Sequence, residues 1–186
     1  MNRLKLFILK TKARRMAIRR EGCESGNREA AKLRTVDEVV GFYFDHLPGI
    51  VQTRQIDTDF IRHHFATERG EGLDFVARYK YGVVAVSENR ELELKNDPVV
   101  YIPGASRCCL LFDDGTTHRV FVRDTARVEI HADNGARVLV SAYDKADIVS
   151  ETHGEATTRV VLHGNTATHT IKNHGENLPI TTIKKS

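Results

Sequence analysis

Residues 125–144 read TARVEIHADN GARVLVSAYD, two blocks of ten with one grammar. Apolar or small residues occupy the even positions: Ala126, Val128, Ile130 and Ala132, then Ala136, Val138, Val140 and Ala142. The odd positions are mostly polar, among them Arg127, Glu129, His131 and Arg137. Strict alternation of this kind means extended backbone with one face buried.

Working outward, the same grammar runs from about Gly104 to about Thr170, in roughly seven blocks. A step of ten from Gly104 meets Asp114, Asp124, Asn134, Asp144, Gly154 and Gly164, all turn formers. A step of ten from Ser106 meets Thr116, Ala126, Ala136, Ala146, Ala156 and Thr166, all small. Ten is even, so the inward parity survives every turn, as a stacked repeat requires. Ten residues make one side of a coil, and two blocks make a coil of twenty with two facing sheets. Val128 then stacks on Ile148 and Thr168, and Val140 on Val160. The pattern predicts an α+β chain, mostly β: a short β-solenoid of ten-residue half-coils, about three and a half coils long, capped by an N-terminal helical segment. An antiparallel meander or sandwich with ten-residue spacing is the competing fold.

Helical signals precede the repeat. Thr35 and Glu38 form a capping-box pattern ahead of Val36, Val39, Val40, Tyr43, Phe44 and Leu47 at helical spacing. Pro48-Gly49 is expected to stop that helix. A second amphipathic helix follows Asp57 or Thr58, and His64 shares its apolar face. Short strands are expected between Leu73 and Pro98. The chain divides into a basic arm and linker at 1–34, a helical cap with lead-in strands at 35–98, and the solenoid at 99–183.

Charge is distributed unevenly along the 186 residues. Residues 1–20 carry eight Lys or Arg and no acid, so the remainder carries a net −5 beneath the overall +3. Leu4, Leu6, Phe7, Ile8 and Leu9 form an apolar patch in this arm that is too short to span a membrane. The arm is compatible with a flexible tail, or a leader ahead of a true start at Met16; with an element docking on an anionic membrane or a partner; and with polyanion binding through Lys10, Lys12, Arg14, Arg15, Arg19 and Arg20, nucleic acid above all.

Chemistry-bearing motifs are absent from the sequence. It has no phosphate-binding loop, nucleophile elbow, His-Glu-x-x-His or Cys-x-x-Cys. Cys108 and Cys109 are adjacent and point to opposite faces, and Cys23 makes the count odd, which favours a reducing cytoplasm. At a period of twenty, Asp133, His153 and Asn173 stack in one outward column, and Tyr143 and His163 in another. These read as a solvated polar face. No catalytic residue, cofactor or metal is assigned, and the chain is expected not to be an enzyme.

The stretch Thr125–Asp144 resembles the degenerate Ala-x-Val-x-Ala-Tyr-Asp/Gly repeats of uncharacterised bacterial and phage proteins, in which a helical segment often precedes the repeat. The resemblance covers about a third of the chain, rests on structural residues and implies no activity. The resulting expectation is a structural or interaction module, phage or mobile-element related, that offers Arg127, Arg137, Tyr143 and His153 to a protein or glycan. Nucleic-acid association through the arm is the alternative, and homo-oligomerisation is compatible with either.

Overall fold

The computed structural model describes residues 3–19, 24–53, 58–88, 91–172 and 180–185. The chain forms two compact units, Met1–Phe65 and Ala66–Ser186.

The first unit is helical: α1 Arg3–Arg19, α2 Glu24–Lys32, α3 Val36–Asp45, α4 Leu47–Thr53 and α5 Thr58–Phe65. The predicted capping box is present. The Thr35 hydroxyl accepts from the Glu38 N–H at 3.1 Å, and the Glu38 carboxylate returns to the Thr35 N–H at 3.3 Å. Val39, Val40, Tyr43 and Phe44 bury the apolar face that follows. Pro48-Gly49 does not end the helical path. α3 stops at Asp45, and Pro48 sits in the first turn of α4, where its missing N–H costs nothing.

The arm is not a flexible tail. It is a 17-residue helix whose Leu9 and Ala13 are fully buried. The buried Tyr43 hydroxyl donates to the Leu9 carbonyl at 3.2 Å. Burial drives the Tyr43 pKa far up, so the phenol stays a donor. Lys10 Nζ donates to the Ala31 carbonyl, in the last turn of α2, at 3.2 Å.

The second unit is a β-solenoid of about five turns. Strands β3 Gly82–Val86, β5 Val99–Ile102, β7 Thr117–Val122, β9 Arg137–Ala142, β11 Thr157–His163 and β13 Ile180–Lys185 stack in parallel in one sheet. Two antiparallel strands, β1 Glu68–Arg69 and β2 Phe75–Tyr79, extend that sheet beyond β3. Facing it is a parallel five-stranded sheet of β4 Glu91–Lys95, β6 Arg107–Phe112, β8 Arg127–Ala132, β10 Asp147–Thr152 and β12 Thr168–Ile171. Val128 pairs in parallel register with Cys108 and Ile148, twenty residues to either side. No ladder joins β8 to β9, and the antiparallel meander is excluded.

The even-numbered residues fill the interior. Val128, Ile130, Val138, Val140, Ile148, Val160 and Leu162 belong to one buried cluster, while Arg127, Arg137 and Arg159 are exposed. Full burial of each such aliphatic side chain contributes about 1.5–3 kcal/mol. Ala126, Ala136, Ala146 and Ala156 sit fully buried just after the corners, where the walls converge.

One corner column holds Gly104, Asp124 and Asp144 at φ +79°, +63° and +58°. Asp tolerates left-handed backbone better than most residues, and here its carboxylate is used as well. Asp124 accepts from the Gly104 N–H at 2.9 Å, and Asp144 from Arg123 Nε at 2.8 Å.

The twenty-residue offset holds only in the middle of the stack. At its start the offsets are shorter, with Glu91 beside Arg107 and Val83 beside Val100. Near its end, an extra residue in the Gly164–Ala167 corner shifts the register. Ile148 pairs with His169, not with the expected Thr168. The buried small residue of that corner is accordingly Ala167, and Thr166 is exposed. His169, whose odd number puts it on the outward parity of the repeat, therefore turns inward.

Candidate interaction surface

Ten-residue steps alternate between sheets, so Arg127 and Arg137 lie on opposite walls of the solenoid, on β8 and β9. Tyr143 and His153 occupy two different corners, after β9 and after β10. The four residues do not converge. Twenty-residue columns are what bring side chains together.

The outer face of the five-stranded sheet is the most highly organised of these surfaces. Arg127 Nε lies 3.7 Å from Asp147, whose other carboxylate oxygen accepts from the Thr168 hydroxyl at 2.6 Å. Beside this column basic and acidic side chains alternate. Lys172 Nζ is 2.5 Å from Glu129, and His131 Nε2 is 3.3 Å from the same carboxylate. His131 Nδ1 is 3.5 Å from Glu151, whose other oxygen lies 3.1 Å from His153 Nε2. The hydrogen bond from Lys172 is the main reason that the Glu129 pKa is held below the ordinary carboxylate range. His131 adds to this, and partial burial opposes it. A shallow recess of about 300 Å³ at the start of this face is lined by Glu91, Arg107, Cys108, Arg127 and Glu129. Arg107, Glu129, His131, Glu151 and Lys172 were missing from the sequence-derived set. A step of twenty from Arg127 reaches Arg107 and a step of twenty from His131 reaches Glu151, whereas the register slip puts Lys172 off its column.

The corner after β9 carries a second ladder. The Tyr143 and His163 rings stack at 4.2 Å with 10° between their planes, as the column reading anticipated. Burial raises the Tyr143 pKa against the opposing pull of Ser141 and Arg123, and lowers that of His163. In the other corner column Asp133 and His153 are exposed, and Asn173 lies outside the described residues.

Polar groups also point inward. His118 is buried in the column of Val138 and Thr158. Its Nδ1 faces the Asp97 carbonyl at 2.9 Å, and its Nε2 faces the Asp114 carboxylate at 2.8 Å and the Thr116 hydroxyl at 3.1 Å. Burial pushes the Asp114 pKa up, but the Thr116 N–H, His118 and the Thr116 hydroxyl outweigh it, and the net shift is downward. Asp97 is raised by burial against the pull of Arg78, 2.7 Å away. With 1% of its surface exposed, His118 has no access to a substrate and ties two corners of the stack together. The inward Cys108 thiol is pushed up to about 12, chiefly by burial, and is inert as a nucleophile.

Among the described residues, no group of three or more His, Cys, Asp or Glu side chains converges as a metal site would. Of the basic residues named in the arm, Arg14 and Arg15 are exposed on α1, Lys10 and Lys12 are half-buried there, and Arg19 ends the helix. Arg20 lies outside the described residues. Among these residues no helix is long and apolar enough to cross a membrane. Comparison of the chain with protein-family models, with curated proteins and with solved structures returned no match.

Proposed function

We propose that the chain is a non-enzymatic structural or interaction module whose solenoid presents the outer face of its five-stranded sheet to a protein or glycan partner. The observation that carries this reading is the ladder from Lys172 through Glu129, His131 and Glu151 to His153, set beside the Arg107–Arg127 recess. Side chains held in rows by a parallel sheet are pre-organised, so a partner that matches their spacing binds without ordering them first. Rows of this kind suit recognition over an extended area. The phage or mobile-element association rests on the repeat resemblance, and a cytoplasmic setting on the free thiols of Cys108 and Cys109.

The test is a glycan array, together with cross-linking mass spectrometry of the full chain in extract of its native cell. Both use the wild type, an Arg107→Glu/Arg127→Glu variant and a Leu139→Glu control on the opposite sheet. Binding that maps to 107–131 and is lost only in the double variant is the expected result. A partner footprint on the opposite sheet, or one unaffected by the double variant, overturns the reading.

A further inference from the structure

Helix α1 has two apolar stripes. One, with Leu9 and Ala13, is fully buried. The other is not consumed by the fold. Phe7 is 67% exposed and Ile8 38%, and Phe7 is the most exposed large apolar side chain among the described residues. Thr11 and Arg15 continue this outer stripe at four-residue steps from Phe7. Phe7, Ile8, Thr11, Lys12, Arg15 and Phe60 of α5 line a shallow recess of about 220 Å³. Lys12 Nζ stands 5.2 Å above the Phe60 ring, with its aliphatic stem against apolar surface and its charge outward. Lys5 flanks the stripe on the side of Lys12, Arg14 lies on the side of Phe7, and residues 1–20 contain no acid.

We propose that this face of α1 docks on an anionic lipid bilayer, with Phe7 and Ile8 inserted at the headgroup boundary and Lys5, Lys12 and Arg15 against the phosphates. An in-plane helix that is apolar at its centre and basic at its flanks is the arrangement such an interface selects. The helix is about 25 Å long at 1.5 Å per residue, enough to lie along a surface. Its opposite side is already buried within its own unit, so it lies on the membrane and does not enter it. Duplex nucleic acid is met by cations alone and leaves an exposed Phe and Ile in water. Single strands are gripped by a series of aromatic platforms, and the outer stripe of α1 has one aromatic ring. A helical protein partner needs a groove far larger than this recess.

The chain contains no Trp, so Phe7→Trp introduces a single fluorescent reporter. The full chain is titrated with phosphatidylcholine vesicles and with vesicles containing phosphatidylglycerol. A blue shift and protection from an aqueous quencher on the anionic vesicles alone are expected. Phe7→Ser/Ile8→Ser should weaken vesicle co-sedimentation by about tenfold or more with an unchanged thermal melt, both side chains being exposed. Lys12→Glu/Arg15→Glu should abolish it. Equal binding by the Phe7/Ile8 variant, an unshifted emission on bound vesicles, or displacement from the vesicles by a DNA duplex that binds the Phe7/Ile8 variant undiminished would each overturn the proposal, the last in favour of nucleic acid.

Discussion

The middle turns of the solenoid and its last turn have the same topology but different interiors. Between β6 and β10 the inward columns are Val, Ile, Leu, Phe, Cys and Ala apart from His118 near one end, with Ser150 and Thr152 beginning the change at the other. In the last turn polar residues join Val160 and Leu162 in the inward columns and bond to one another. The Thr152 and Thr158 hydroxyls meet at 2.8 Å. His169 reaches Ser150 Oγ with Nε2 at 2.7 Å and Thr182 Oγ1 with Nδ1 at 2.8 Å. Backbone ladders and polar side-chain bonds therefore continue the coil where the apolar core thins. A chain stacked this way can taper from a dry centre toward a wetter end.

The sharpest break in that contrast is a charge placed in the dry centre. Val138 is fully buried, and Val138→Asp should destabilise the solenoid by about 3–5 kcal/mol, read by chemical denaturation. In the polar turn, Thr158→Val should cost about 1–2 kcal/mol because it removes the buried Thr152–Thr158 hydroxyl contact. Thr152→Val/Thr158→Val should recover most of that loss, and a double-mutant cycle without coupling would show that the two hydroxyls act independently.

The next effect depends on pH. Burial lowers the His169 pKa below 6.5, so protonating it is harder in the folded chain than in the unfolded one. Its contribution to stability is complete above the ordinary histidine range and is lost as pH falls through the folded value. Hydrogen exchange in 168–171 and 180–185 should therefore accelerate on acidification toward that value, more than exchange in 137–142. Uniform acceleration along the stack would assign the effect to other groups. The smallest change is at the exposed wall, where Arg137→Asp should cost well under ~1 kcal/mol in the same chemical denaturation that reads Val138→Asp.

What the residues made legible follows the same division. Where the coil is twenty residues long, parity, columns and corners could all be read by counting, down to the Tyr143–His163 stack. Counting fails where coil length changes. Gly164-Asn165-Thr166 satisfies a ten-residue turn as well as an eleven-residue one, so the slip that turns His169 inward leaves no compositional trace. The stack also begins earlier than its period does, because Val83 to Val100 is a shorter step. The helix of the arm is hidden in the sequence for a different reason. Apolar residues on two sides of α1 blur the single-face periodicity that marks an ordinary surface helix. The interaction surface was only half legible, since Arg127 and His153 were named, while Arg107, one coil from Arg127, and Glu151, two residues from His153, were not.

The constant offset of the middle turns also bears on how such a chain can change over time. Because each residue there meets its neighbours twenty positions away, a gain or loss of one full coil moves no column and leaves every corner with the residues it needs. Any other length change slides a whole sheet's register, as the single extra residue before β12 already does at the edge. For a stack of this geometry, turn number is therefore a nearly neutral variable and corner length in its middle a constrained one. The closure cost of each added turn is that of one twenty-residue loop, however many turns precede it.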